Sequence, residues 1–232
     1  MLRRFVHDLG RAYVRHICRS EFEHQTFRVH NERPIEFGFA LRTLACSRPK
    51  TILDVGTGTT AWPHVLRNCG FVVTAIDNVR DYWPSGMTNR HWTVLDINIV
   101  SPDGLQGEFD AVTCISVIEH IEDHATAVRN MHRFLAPGGL LILTTPFSID
   151  HPSPNVYARP DALYGRQAKY ICRSSSQREL DLWLSCGFSV ESQELWRLFT
   201  GPVWATGERC EWKLVTDPAE SHQLGCFALR KI

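Results

Sequence analysis

The sequence predicts an α/β protein built on a doubly wound, mostly parallel sheet, Rossmann-like, with helices on both faces and an N-terminal helical extension. Three observations carry this. Short apolar, β-branched runs alternate with helical patterns; the first run ends in the glycine turn Gly56-Thr57-Gly58; the next two end in aspartates, Asp77 and Asp96. Strands that are apolar along their whole length, rather than on alternate residues, are the mark of a sheet covered on both sides.

The elements follow in order. In Met1 to Ser20, Leu2, Phe5, Val6, Leu9, Tyr13 and Ile17 fall close to one helical face, and five arginines against Asp8 leave a net charge of +4. This reads as a lid or interface helix in preference to a membrane-surface one. Residues 1–48 form the extension and 49–232 the main domain. Thr51 to Val55 is the first strand; Thr60 to Asn68 is helical, with Pro63 in its first turn and Gly70 as its stop. Phe71 to Ile76 and His91 to Leu95 are strands two and three, Phe109 to Ile115 strand four, and Leu140 to Thr144 strand five. Between the last two, Val128, Met131 and Leu135 recur at helical spacing until Pro137-Gly138-Gly139. Ser176-x-x-Glu179 is a capping box opening a helix with Leu180, Trp183 and Leu184 on one face, ended by Gly187. Ser189 to Leu195 and Cys226 to Ile232 close the sheet.

Composition bounds the function. With 232 residues, 44% hydrophobic and 22% charged, the chain can bury a large core. Lys plus Arg and Asp plus Glu are both 25, so the net charge is zero, which argues against nucleic acid as a partner. No window of the chain is apolar enough for stable membrane insertion, and the arginine-studded N-terminus is not a secretory signal. Eight scattered cysteines without a Cys-x-x-Cys read as reduced thiols of a cytoplasmic protein.

Gly56 and Gly58 sit where the first strand hands over to the first helix, a turn that needs unusual backbone angles and lets a ligand approach the main chain. Asp77 follows Gly56 by 21 residues and ends strand two, the place for a carboxylate that grips ribose hydroxyls. Asp96 ends strand three, within reach of an adenine edge. Gly56-x-Gly58-x-x-Ala61 also fits the dinucleotide fingerprint, so an NAD(P)-dependent oxidoreductase is the alternative. Asp54 weighs against it: a negative charge just before the turn is awkward beside a pyrophosphate and suits a cationic ligand.

The motifs resemble those of class I S-adenosylmethionine-dependent methyltransferases of the small-molecule type. Ile52-Leu53-Asp54-Val55-Gly56-Thr57-Gly58-Thr59 is similar to their first motif and Val73-Thr74-Ala75-Ile76-Asp77 to their second. Phe109 through Ile121 resembles the fourth-strand motif with its Glu-His, Leu135 through Pro146 the entry to strand five, and Cys186-Gly187-Phe188 the Gly-Phe before strand six. The resemblance spans residues 50 to 190 in order. It implies a seven-stranded sheet with the last strand antiparallel and S-adenosyl-L-methionine as cofactor. It further implies that Gly56 and Gly58 line the methionine part, Asp77 binds ribose, Asp96 with Ile97 contacts adenine, and Ile115 with Ser116 lies beside the cofactor.

Methyl transfer to a hydroxyl needs a base, and His120, after strand four on the rim of the glycine turn, is the first candidate; His151 is the second. Glu119 either orients His120 or starts a helix. The Glu-His pair resembles the Glu-x-x-Glu-His metal cluster of ubiquinone-biosynthesis O-methyltransferases, but Ser116 stands in place of the first glutamate, so no metal is expected. Roughly 28 residues at about 148–175 are long for a connection. Their Tyr157, Tyr164, Tyr170, Arg159, Arg166 and Arg173 read as an acceptor-side insertion. His30-Asn31-Glu32-Arg33-Pro34-Ile35-Glu36-Phe37 is read as contributing to the mouth of the cofactor pocket, with Arg33 the candidate partner for the cofactor carboxylate. The expected substrate is a small molecule, a sugar, glycolipid precursor or secondary metabolite, methylated on oxygen or nitrogen. A homodimer is compatible with the sequence, and a non-catalytic partner subunit is a third reading.

Overall fold

The computed structural model describes residues 2–23, 31–79, 89 and 92–232. The chain divides into two compact units, Met1–Pro34 and Ile35–Ile232. The first is mostly one helix, α1 (Leu2–Glu23), whose Phe5, Val6, Leu9 and Tyr13 are exposed. Among the described residues no helix is long and apolar enough to cross a membrane.

In the larger unit, eight strands among the described residues form one sheet: β1 (Thr51–Val55), β2 (Val72–Asp77), β3 (Val94–Asp96), β4 (Phe109–Ile115), β5 (Leu135–Pro146), β6 (Phe188–Phe199), β7 (Arg209–Val215) and β8 (Leu224–Lys231). Their order is β3-β2-β1-β4-β5-β8-β6-β7. The β3, β2, β1, β4 and β5 neighbours pair in parallel. The pairs β5–β8, β8–β6 and β6–β7 are antiparallel. The expected count of seven strands is therefore corrected to eight. The added strand is β7, a hairpin partner of β6 at the sheet edge. Its segment Arg-Cys-Glu-Trp-Lys-Leu-Val faces solvent on most positions, so it lacks the continuous apolar run that marks the inner strands.

Successive residues of a strand point to opposite faces, and the core divides accordingly. Leu53, Val55, Val112, Cys114, Leu141 and Leu143 pack against α4 (His124–Phe134) and α5 (Gln177–Leu184), through Val128, Met131, Leu180 and Trp183. Ile52, Ala111, Ile115, Leu140 and Ile142 pack on the other face against α2 (Arg33–Ser47) and α3 (Trp62–Asn68), through Phe39, Leu44, Trp62 and Leu66. Each fully buried large apolar side chain contributes about 1.5–3 kcal/mol.

Local chemistry sets the ends of the helices. The Asp123 carboxylate accepts from the Thr126 N–H at 3.0 Å and starts α4. α4 then runs straight into β5, where Pro137-Gly138-Gly139 lies in a register shift between the Phe109–Leu135 and Ala111–Leu140 pairs. Glu179 accepts from the Ser176 N–H at 2.8 Å and from its hydroxyl at 2.7 Å at the start of α5. β3 is short, and His91, the expected start of that strand, lies outside the described residues.

Candidate active site

Register brings the signature residues to one edge. β1 pairs Val55 with Ile76, and β2 pairs Asp77 with Asp96, so Gly56, Asp77 and Asp96 follow one another across three strand ends. Asp54 pairs with Thr113 across β1 and β4, which sets Ile115 and Ser116 on the other side of Gly56. This is the carboxyl edge of the sheet, where β4 and β2 leave β1 on either side, the position at which open α/β sheets take ligands.

The glycine turn is held from three directions. Gly56 has φ +76° and Gly58 φ +56°, a left-handed conformation that costs an L side chain. A Cβ on Gly56 would stand 2.4 Å from both γ carbons of Val117, so the two turns after β1 and β4 touch. The Gly56 N–H donates to the Ile76 carbonyl at 2.9 Å, and the Gly58 N–H donates to Asp77 Oδ2 at 2.7 Å. Asn89 closes the other side: its Nδ2 donates to the carbonyls of Gly58 and Thr60, both at 2.9 Å. The Ile97 N–H donates to the Asp77 carbonyl at 2.9 Å, tying the end of β3 to the same point. Asp96 is exposed and Ile97 half-buried.

Asp54 lies beneath the turn, 2% exposed. Its Oδ2 accepts from the Thr57 hydroxyl at 2.6 Å and its Oδ1 from the Thr113 hydroxyl at 2.7 Å. It thus binds the turn to β4.

On the β4 side, Ser116 also has a positive φ, +50°. Its N–H donates to Thr144 Oγ1 at 3.0 Å and to the Thr144 carbonyl at 3.1 Å. The hydroxyls of Ser116 and Thr144 both donate to Glu36 Oε1, the latter at 2.7 Å. Glu36 is 0% exposed on α2. Sequence reasoning names Glu36 only as one residue of the 30–37 segment at the pocket mouth, and does not single out Asn89. Glu36 carried a signal: it is the lone charge in Ile35-Glu36-Phe37-Gly38-Phe39-Ala40 and falls in line with Ala40 and Leu44 at helical spacing.

His120 ends a 3-10 turn, Ile118–His120, beyond β4. Its Nδ1 lies 2.6 Å from the Ile171 carbonyl oxygen. A carbonyl only accepts, so Nδ1 carries the proton and the neutral ring presents Nε2 as the acceptor. Glu119 Oε1 is 3.9 Å from that Nε2, and Glu119 is 3% exposed.

The segment 148–175 is stitched to this turn. The Arg173 N–H donates to the Glu119 carbonyl at 2.9 Å and Arg173 Nη1 to the Ile121 carbonyl at 3.0 Å. Burial lowers the Arg173 pKa from its ordinary value. Tyr170 meets the His120 ring edge-on at 4.8 Å and Tyr157 stacks at 6.4 Å. Burial pushes the Tyr157 hydroxyl pKa well above its usual value, so that phenol stays protonated. Trp204 joins Tyr157, Tyr164 and Phe199 in the same aromatic group.

His151 is exposed on the chain leaving β5. Among the described residues, no hydrogen bond or ring contact joins it to His120 or to the glycine turn. Among the described residues, too, no group of three or more His, Cys, Asp or Glu side chains is placed to hold a metal ion. Arg33 opens α2, within the N-terminal unit.

A doubly wound sheet with a glycine turn and carboxylates at its strand ends defines an α/β protein of the Rossmann-like class. The chain belongs to the methyltransferase domain family, whose pattern matches residues 22–193. A ubiquinone biosynthesis O-methyltransferase of Pseudomonas paraeruginosa is 32% identical over 104 residues, covering 41% of this chain and 44% of that protein. One from Alkalilimnicola ehrlichii is 27% identical over 125 residues, 50% of each. The chain thus spans half or less of the length of these curated relatives. The fold is similar to that of Burkholderia thailandensis 1,6-didemethyltoxoflavin-N1-methyltransferase, solved with bound 1,6-didemethyltoxoflavin and S-adenosylhomocysteine (TM-score 0.59, 17% identity, 97% of this chain and 89% of that one). It is similar also to the N-methyltransferase NodS of Bradyrhizobium japonicum (TM-score 0.53, 16% identity, 86% and 96%).

Proposed function

We propose that this chain transfers a methyl group from S-adenosyl-L-methionine to an oxygen or nitrogen of a small molecule. The observation that carries the reading is the rim itself: the left-handed Gly56–Gly58 turn flanked by Asp77 and Asp96, adjacent and in register. Asp77 receives ribose hydroxyls and Asp96 with Ile97 the adenine. Gly56 and Gly58 allow the rest of the cofactor to lie against the main chain beside Ile115 and Ser116. Asp54 beneath this path favours a cation over a pyrophosphate, which supports a sulfonium cofactor over a dinucleotide. The structure and binding partner of the Burkholderia enzyme support the same choice.

The bound cofactor supplies an electrophilic methyl group. The chain's own task is to hold an acceptor in line with it and to remove the acceptor's proton, positioning being worth about 7–11 kcal/mol in favourable cases. His120 suits the second part. The Ile171 carbonyl fixes its tautomer, Nε2 takes the proton, and Glu119 at 3.9 Å stabilises the imidazolium that results. His151 ranks second. Tyr157, Tyr170 and Arg173 place the segment at 148–175 beside His120, which supports its part as the acceptor-side insertion on the 49–232 domain, with 1–48 as the helical extension or lid. The balanced charge supports an enzyme of small molecules rather than one of nucleic acid, the scattered cysteines support a cytoplasmic one, and a homodimer fits this reading.

Calorimetry with S-adenosylhomocysteine and with NAD(H) tests the proposal. Micromolar binding of the first and none of the second is expected. Tight NAD(H) binding with no response to S-adenosylhomocysteine overturns it in favour of an oxidoreductase.

A further inference from the structure

Helix α1 carries a face that the proposed chemistry leaves unused. It is exposed at every residue from Arg3 to His16. At about 100° per residue, Phe5, Val6, Leu9 and Tyr13 fall within one arc about 100° wide. Each of the four is between 56% and 67% exposed. A lone surface leucine needs no explanation, but four large apolar side chains on one stripe mark a surface that meets a partner. Helices of this kind draw most of their stability from packing such a stripe.

Charge says what the partner is. Arg4, Arg11 and Arg15 fall on the opposite side by the same rotation, and Arg3 lies at the border of the stripe. Asp8 is the one carboxylate before the final turn, where Glu21 and Glu23 come. A helix lying on a bilayer sinks its apolar side about 5–10 Å into the boundary between headgroups and chains. The helix is about 10–12 Å across, so arginines on its far side stand within a Debye length, ~8 Å, of the lipid phosphates. A groove on a protein takes the apolar stripe and leaves those arginines in water. A second copy of the helix meets the stripe with its own excess of positive charge. An anionic lipid surface engages both sides at once.

We propose that α1 is a surface anchor that lays Phe5, Val6, Leu9 and Tyr13 onto anionic lipid. The sequence pattern by itself favours a lid or a protein interface; exposure all round and the arginine-rich far side favour the bilayer. Attachment of this kind needs no spanning segment, and among the described residues no helix is long and apolar enough to cross a membrane. It does not depend on the S-adenosylmethionine reading. Each arginine near such a surface is worth about a 5-fold gain in affinity.

The test is sedimentation of the full chain with two kinds of vesicle: phosphatidylcholine alone, and phosphatidylcholine with phosphatidylglycerol in equal parts. Binding to the mixed vesicles at least ~10-fold tighter than to the neutral ones is expected. It should fall as salt rises from about 0.1 M to about 1 M, where the Debye length drops from ~10 Å to ~3 Å. Arg11→Gln with Arg15→Gln should weaken it by ~25-fold, two arginines at about 5-fold each. Phe5→Ser with Leu9→Ser should weaken it by ~10-fold or more. The comparison of vesicles needs no variant, so it decides even where a variant misfolds. No binding to the mixed vesicles, or equal binding to both kinds, overturns the proposal. Undiminished binding by the Phe5→Ser, Leu9→Ser variant overturns it too, since the stripe then touches no lipid. Where the chain ignores vesicles, light scattering and S-adenosylhomocysteine titration name the occupant instead: a dimer that this variant dissolves means a second copy, loss of S-adenosylhomocysteine binding in it means a lid, and neither means a protein partner.

Discussion

Replacing Gly56 by alanine gives the sharpest measure of how the crevice is built. Two costs add. The left-handed φ of +76° penalises an L residue by about 1–2 kcal/mol. The new Cβ would also stand 2.4 Å from both γ carbons of Val117 and 2.9 Å from its β carbon. Val117 is β-branched and stiff at χ1, so rotation cannot withdraw both methyls at once, and overpacking of this kind costs about 1–3 kcal/mol. The expected loss is therefore about 2–5 kcal/mol of stability, read by urea denaturation, with S-adenosylhomocysteine binding lost as the turn shifts. Gly58→Ala separates the two costs: φ is +56° there, but nothing lies within 4 Å of the new Cβ, so about 1–2 kcal/mol is expected. Val117→Ala combined with Gly56→Ala removes both γ carbons and should return part of the difference. A Gly56→Ala protein within ~0.5 kcal/mol of the parent, or a double variant no better than the single, would refute the reasoning.

Three further outcomes are expected. Asp77→Asn, which keeps an acceptor for the Gly58 N–H, should weaken S-adenosylhomocysteine by ~10-fold or more, the scale of a hydrogen bond to a charged group, while thermal melting shifts little; an unchanged titration contradicts the ribose assignment. His120→Ala should lower kcat by ~100-fold or more with cofactor affinity within a few fold, and turnover unaffected by the change removes His120 as the base. Burial, ahead of any charge, holds the imidazoles of His124, His132 and His222 below the ordinary histidine range. The unfolded chain then takes protons first, so stability is complete above about pH 6.5 and declines as pH falls below it. Melting curves from pH 8 to 5.5 should show this slope, His222→Gln should reduce it, and a flat profile contradicts it.

Strand ends were legible in the sequence because local chemistry marks them. Gly56 and Gly58 break a β-branched run, and Asp77 and Asp96 are the first charges after theirs, so their common edge followed from strand alternation. Other features are tertiary and left little local trace. Asn89 reaches the carbonyls of Gly58 and Thr60 from about 30 residues away along the chain, in a stretch with no periodicity. β7 escaped notice because an edge strand buries little and carries charges on its open side. Glu36 reads in the sequence only as part of the 30–37 segment, and only the assembled sheet shows that its face of α2 is the buried one.

The carbonyl of Ile171 has a consequence for changing what this protein accepts. It belongs to the very stretch that an engineer would exchange to admit a new substrate, yet it also fixes the proton on the far nitrogen of His120. Under the proposed mechanism, grafting that stretch from a relative would alter specificity and chemistry together. Only grafts that return a main-chain oxygen to the same spot would keep the imidazole correctly protonated.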